Sequence, residues 1–157
     1  MEHLRIQIIE DKKLKSYALF MTTFKFETYL DVIPNFKVRS CFAKLRLSAH
    51  SLHIETGRYG GKNKIPRAER YCQFCKLLGT YELEDELHFI MVCSLYSAER
   101  KLLLDSLYNR FPSTKLLDNQ NMFIWLLSQE DIIGLKALAQ FCKRAFDLRL
   151  LQENQTK

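Results

Sequence analysis

Four residues in the middle of the chain have the types and spacing of a metal site: Cys72, Cys75, His88 and Cys93. They lie in YCQFCKLLGTYELEDELHFIMVC, a Cys-x2-Cys-x12-His-x4-Cys pattern. Zinc takes four thiolate or imidazole ligands at tetrahedral corners, at about 2.3 Å for sulfur and about 2.0–2.1 Å for nitrogen. A Cys-x2-Cys pair supplies two of them from one tight turn, and a helical turn or its entry can present His88 and Cys93 together. A filled Cys3His set leaves no position for water, so the expected Zn2+ is structural rather than catalytic. His50 and His53 are competing ligand candidates; His88 is preferred because its spacing to Cys93 is local. The acids Glu84, Asp85 and Glu86 either orient the imidazole from behind or cap the helical turn that follows.

The other reactive groups point away from catalysis. There is no Gly-rich phosphate loop, no nucleophile elbow and no His-Glu-x-x-His helix. Cys41 and Cys142 fall within apolar helical stripes, which suits small core residues better than nucleophiles paired with His50 or His53. The expectation is a non-enzymatic protein with no small-molecule substrate. Met1 is followed by a mixed-charge stretch rather than a leader, and no apolar run reaches the ~20 residues that span a bilayer. The expected setting is intracellular, nucleus or cytoplasm, without membrane contact. In a reducing compartment clustered cysteines favour a metal over disulfides.

The elements that must position the site read as helices. The 157 residues are 47% hydrophobic, with five Gly and three Pro, which suits one small, mainly α-helical domain. Apolar spacing predicts a helix within 11–31 (Leu14, Tyr17, Ala18, Met21, Phe24), stopping before Pro34. A second is expected over 36–49, with Val38, Cys41, Phe42, Leu45 and Ala49 inward. Lys37, Lys44, Arg39 and Arg46 flank that face, where long stems can cover the core margin while their charges reach water. Residues 57–66 read as a flexible basic loop. Beyond the metal segment, 98–110 is expected to be helical with Leu102, Leu103 and Leu107 inward, followed by a polar connector over 113–121. The apolar run 122–127 must be buried on nearly all sides. Ser128 with Asp131 resembles a capping box for a last helix carrying Ile132, Leu135, Leu138, Cys142 and Ala145 or Phe146 on its buried stripe. The expected layout is N-terminal helices over 1–49, a basic loop and zinc-stapled irregular segment over 50–96, and C-terminal helices over 97–157.

Charge adds a partner class. The net charge is +6, and nine Lys/Arg against Glu55 and Glu69 between Lys37 and Arg70 account for all of the excess. Such a block fits a polyanion. Lys44, Arg46, Arg58, Lys62, Lys64, Arg67 and Arg70 are the candidate phosphate contacts, and Tyr59 or Tyr71 the candidates to stack on exposed bases. RNA and DNA are both open. The competing readings are a zinc-held structural or protein-interaction domain, with the basic face merely solvated, and a remnant without selected function.

The strings LRLSAHSLHIETGRYGGKNKIPRAERYCQFC and LEDELHFIMVCSLYSAER resemble the C-terminal region of non-LTR retrotransposon reverse-transcriptase polyproteins, and LKSYALFMTTFKFETYL is similar to what precedes it there. The resemblance runs from about Leu14 to Arg100, and its most specific part is HSLHIETGRY, from His50 to Tyr59, combined with the later metal motif. It implies zinc-ligand roles for Cys72, Cys75, His88 and Cys93, and a part in engaging nucleic acid. It implies no polymerase, because the chain lacks a Tyr-x-Asp-Asp motif and the length of a palm domain, nor does the chain hold an endonuclease domain. A detached tail fits: an expressed fragment, a domesticated remnant or an inaccurate gene model.

Overall fold

A computed structural model describes residues 6, 14–21, 25–59 and 61–155. Within them the helices are α1 (Lys15–Phe20), α2 (Tyr29–Val32), α3 (Phe36–Arg46), α4 (His53–Thr56), α5 (Gln73–Leu77), α6 (Ser97–Arg110), α7 (Asn119–Ser128) and α8 (Ile132–Gln155). No strand occurs among the described residues; the one isolated β-bridge joins Tyr71 to Leu83. The fold is mainly α with the Cys3His group mid-chain, as the sequence pattern implies.

Short polar side chains set the helix starts. Asn35, just after Pro34, accepts from the amides of Lys37 (3.0 Å) and Val38 (3.2 Å), opening α3. Asp118 accepts from Asn121 N at 2.8 Å and opens α7. Asp131 accepts from Ile133 N and Gly134 N at 3.1 and 3.0 Å and opens α8. Ser128 instead bonds back to Trp125 O within α7, so the residue that caps is Asp131 and not Ser128. A Cβ on Gly134 would lie 1.9 Å from Gln129 Oε1, so the Gln129 amide occupies the space that this glycine leaves.

The long helix α8 is the spine. It packs against α3, α6 and α2, while α7 packs on α1 and on the turn 88–92. Leu135, Leu138, Cys142 and Ala145 face the core as the spacing predicts, and Phe146 is half-buried against it. Ile132 and Leu102, expected inward, are 49% and 57% exposed, because each sits one step beyond the edge its helix presents to a neighbour. Ala49 is exposed too, since α3 ends at Arg46 and Ser48 takes a left-handed φ of 48°. Cys142 is fully buried and Cys41 half-buried, both without disulfide partners. The helix expected over 11–31 is two separate helices: extended backbone at Met21 ends α1, and Phe24 lies outside the described residues. The apolar run 122–127 is the body of α7, with Met122, Phe123, Leu126 and Leu127 buried. No helix among the described residues is long and apolar enough to cross a membrane.

Candidate metal centre

Cys72 and Cys75 come from a small knuckle. The Tyr71–Leu83 bridge and a Cys72 N to Glu82 O bond of 2.8 Å bring the two arms together. Cys72 then takes an extended conformation as the residue before α5, and Cys75 falls in the first turn of that helix. The knuckle closes where Gly79 adopts a φ of +83°, which a side chain would oppose. Thr80 donates both its amide and its hydroxyl to Cys75 O, at 2.9 and 3.0 Å.

His88 and Cys93 come from a π-helical turn, His88–Val92, closed by a 2.8 Å bond from Cys93 N to His88 O. In an α-helix, positions five apart point about 140° from one another. The wider turn returns Cys93 towards the His88 side, in keeping with the functional placement of such turns. Asp85 caps it, accepting from His88 N at 2.9 Å. Arg100 of α6 clamps its far end by donating to Ile90 O and Cys93 O, each at 2.6 Å. Phe89, next to the ligand and fully buried, lies between Tyr96, Phe141 and Phe146 at ring distances of 4.8, 5.7 and 4.6 Å. One π turn thus turns an imidazole to the site and a phenyl ring to the core.

The four donor atoms lie within 4.8 Å of one another, and all four residues are buried. The Cys93 sulfur is 3.8 Å from those of Cys72 and Cys75, and the Cys75 sulfur is 3.4 Å from His88 Nε2. A disulfide needs about 2.05 Å. A tetrahedron built on metal–sulfur bonds of about 2.3 Å has sulfur–sulfur edges of about 3.8 Å and sulfur–nitrogen edges of about 3.6 Å. The group therefore has the donor set and spacing to hold one metal ion. As thiols the three sulfurs ionise unequally. Hydrogen bonding to Cys93, then burial, push Cys72 up to about 12, burial raises Cys75, and the hydrogen bond from Cys72 lowers Cys93. Binding a divalent cation here displaces those protons.

The rival histidines are engaged elsewhere. His50 lies against Glu86 Oε1 at 3.0 Å through Nε2 and accepts from Leu52 N through Nδ1 at 3.3 Å, which assigns the ring proton to Nε2. His53 Nδ1 faces Tyr71 O at 2.9 Å. Of the three acids only Asp85 caps; Glu84 and Glu86 are buried hubs. Glu86 also accepts from Ser48 (2.8 Å) and Ser16 (2.9 Å). Burial would raise its pKa, but the bonds from His50 and Ser48 win and hold it at about 2. Glu84 accepts from His53 N at 2.6 Å and pairs with Arg149, which fastens α8 to the knuckle. Burial opposes the charge on Arg149, yet Glu84 holds its pKa above the ordinary value.

The basic segment divides into two kinds of cation. Lys44, Lys62, Lys64 and Arg67 are exposed, and Arg58 pairs with Glu55 at 3.1 Å. Arg46 and Arg70 are only 7% and 5% exposed, which corrects their expected place among phosphate contacts. Arg46 donates to Leu127 O at 2.5 Å, pairs with Glu27 at 2.9 Å and lies 4.4 Å over the Phe20 ring, joining α1, α3 and α7. Arg70 closes the basic loop: its Nε donates to Ile65 O (3.0 Å) and its Nη1 to Ile54 O (2.8 Å), beside an Ile65 N to Gly57 O bond of 3.1 Å. A Cβ on Gly57 would meet the Arg70 stem and His53 O at 2.9 Å, so the glycine lets the latch lie flat. The loop is thus tied at its neck rather than loose, with a short 3-10 turn, Gly61–Asn63, near its tip. Tyr59 is 65% exposed, while Tyr71 packs edgewise on Tyr81.

Sequence spacing picks out the four residues that gather into this cluster, but it gives no sign of Arg100, of the Glu84–Arg149 pair or of the internal role of Arg70. Arg149 was legible in principle, since Leu138, Cys142, Ala145 and Arg149 continue one helical stripe. Arg100 and Glu84 carry no such periodic signal. Compared with family models, curated proteins and solved structures, the chain matches none of them.

Proposed function

We propose that the chain is a non-catalytic nucleic-acid-binding module whose middle segment is held by one structural zinc ion on Cys72, Cys75, His88 and Cys93. Three thiolates and an imidazole at tetrahedral spacing suit zinc above harder cations, and four protein ligands leave no open position for a reacting water. The imidazoles of His50 and His53 and the carboxylates of Glu84 and Glu86 are tied into internal hydrogen bonds, which supports a non-enzymatic role.

The observation that carries the nucleic-acid reading is the neck-tied loop 57–65, which exposes Lys62 and Lys64 near its tip with Arg67 just beyond. Tying the loop at its neck restricts the backbone that carries these cations, so less freedom is lost on meeting phosphate than from a loose chain. With Arg46 and Arg70 internal, the phosphate set narrows to Lys44, Arg58, Lys62, Lys64 and Arg67, and the partner is RNA or DNA engaged through its backbone. The resemblance to a retrotransposon reverse-transcriptase tail points to the same chemistry. The test is fluorescence anisotropy of zinc-loaded protein with labelled oligonucleotides as salt is raised. Binding should weaken steeply with salt and fall when Lys62, Lys64 and Arg67 are replaced by Ala. A folded, metal-loaded protein that binds no oligonucleotide at physiological salt contradicts the reading.

A further inference from the structure

The neck-tied loop carries a ring as well as charge. From Gly57 to Ile65 it reads GRYGGKNKI, without an acid. The acids on either side, Glu55 and Glu69, lie outside it, and Glu55 pairs with Arg58 at 3.1 Å. That leaves Lys62 and Lys64 as the loop's outward cations, both exposed. Arg67, also exposed, lies beside the neck. Burial, and then the charges of Arg58 and Arg67, press down the pKa of Arg70, whose Nε donates to Ile65 O. Tyr59 stands on the same loop, 65% exposed, with its amide bonded to Thr56 O at 3.2 Å. Gly61 takes a φ of +55°, and a Cβ there would meet no heavy atom within 4 Å, so a ligand can approach the backbone at the start of the Lys62 turn.

The closure of the loop keeps these groups together. Counting virtual bonds of about 3.8 Å outward from the Ile65 N to Gly57 O bond, the Cα atoms of Tyr59 and Lys64 lie within roughly 17 Å of each other. An exposed ring beside exposed cations, on a loop without an acid, suits an anion with a flat apolar face of its own. Phosphate contacts serve duplex and single strand alike. A ring adds affinity where a base is unpaired, because a duplex hides its bases in its own stack. Tyr71, the other candidate ring, is engaged edgewise with Tyr81, with centroids 5.5 Å apart and planes at 82°. Resting on the nucleic-acid reading above, we infer that the loop 57–65 takes a single-stranded segment, with Tyr59 stacking on one unpaired base while Lys62 and Lys64 hold adjoining phosphates. Binding then has two separable parts on one loop, a salt-dependent phosphate part and a salt-independent stacking part.

The experiment uses the full zinc-loaded chain, a short single-stranded oligonucleotide carrying a fluorescent purine analogue, and the duplex of the same sequence. Wild type, Tyr59→Leu and Tyr59→Phe are compared. Bound zinc and hydrogen exchange at the Ile65 amide show that the metal segment and the loop neck are intact in each. Tyr59→Leu should weaken single-strand binding by about tenfold, leave duplex affinity and the salt slope unchanged, and abolish quenching of the analogue; Tyr59→Phe should behave as wild type. Equal single-strand affinity in wild type and Tyr59→Leu overturns the stacking role while leaving phosphate-directed binding standing. An equal loss on single strand and duplex also overturns it, because the ring would then support the loop rather than a base. Binding of a polyglutamate peptide, but of neither oligonucleotide, overturns both readings.

Discussion

The knuckle and the helical frame around it are held in opposite ways. The frame, α3 with α6, α7 and α8, is an apolar core in which Phe42, Leu45, Leu107, Leu126 and Leu138 are 0–1% exposed. The knuckle has a five-residue helix, one β-bridge and Leu77, Leu78 and Tyr81 facing solvent. Burial stabilises the first at roughly 25 cal/mol per Å² of apolar surface. The second has less apolar contact, and on the proposed reading a metal ion on Cys72, Cys75, His88 and Cys93 takes its place. Side chains in the frame are committed inward, while Leu77, Leu78 and Tyr81 of the knuckle are left facing outward. Phe89 and the Glu84–Arg149 pair are where the two regimes meet.

Removing the metal should separate them most strongly. Structural zinc contributes on the order of 10 kcal/mol to small metal-held modules. Cys93→Ala, or chelation, should therefore abolish amide protection over residues 70–93 and leave most helical circular dichroism in place. Fluorescence of the single tryptophan, Trp125, packed on Phe111 at 5.2 Å in the frame, should change little. Loss of all helix on chelation would make the two regions one cooperative unit and dissolve the contrast.

Phe89→Ala strikes the junction. Truncating a fully buried Phe costs about 3–5 kcal/mol, and here it should lower both the melting temperature of the frame and the affinity for metal. A variant that loses frame stability with unaltered metal affinity would show that the π turn does not couple them.

Gly57→Ala tests the basic loop without touching any charge. Displacing the Arg70 latch should speed hydrogen exchange at the Ile65 amide about tenfold, as expected for weakening a closure by about 1.4 kcal/mol. Metal content should stay at wild type. Unchanged exchange would mean that the loop neck does not depend on Arg70.

The smallest effect is at the start of α8. The hydrogen bond from Arg110 is the main cause that lowers the pKa of Asp131. A carboxylate lowered in the folded state adds stability above its unfolded pKa of about 3.9, and that stability fades as pH falls through the folded value. Asp131→Asn should thus lower the melting temperature slightly at neutral pH and lose its effect in acid. A difference that persists at low pH would leave the cap, not the charge, as its source.

How much of this was legible in sequence follows the same division. The Cys3His cluster could be read because a metal site demands fixed residue types at short spacings, and α3 and α8 because burial imposes a helical period. The basic segment misled because charge was counted without burial. Arg46 falls one position after Leu45, still on the packed face, and Arg70 sits two residues before Cys72, where the chain must turn inward to deliver a ligand. Neither side chain signals by type alone that backbone carbonyls await it. The π turn was illegible because it answers to the placement of His88 and Cys93 and to Arg100, not to any local period.

On the proposed function these four residues, and no other histidine, hold one metal ion. Titrating reduced protein with Co2+ and following thiolate-to-metal charge transfer and the d–d bands tests it directly. One equivalent with a tetrahedral spectrum, displaced by zinc, lost in His88→Ala and retained in His50→Ala and His53→Ala, is the predicted result. A spectrum that survives His88→Ala, or that disappears with His50 or His53, would contradict it.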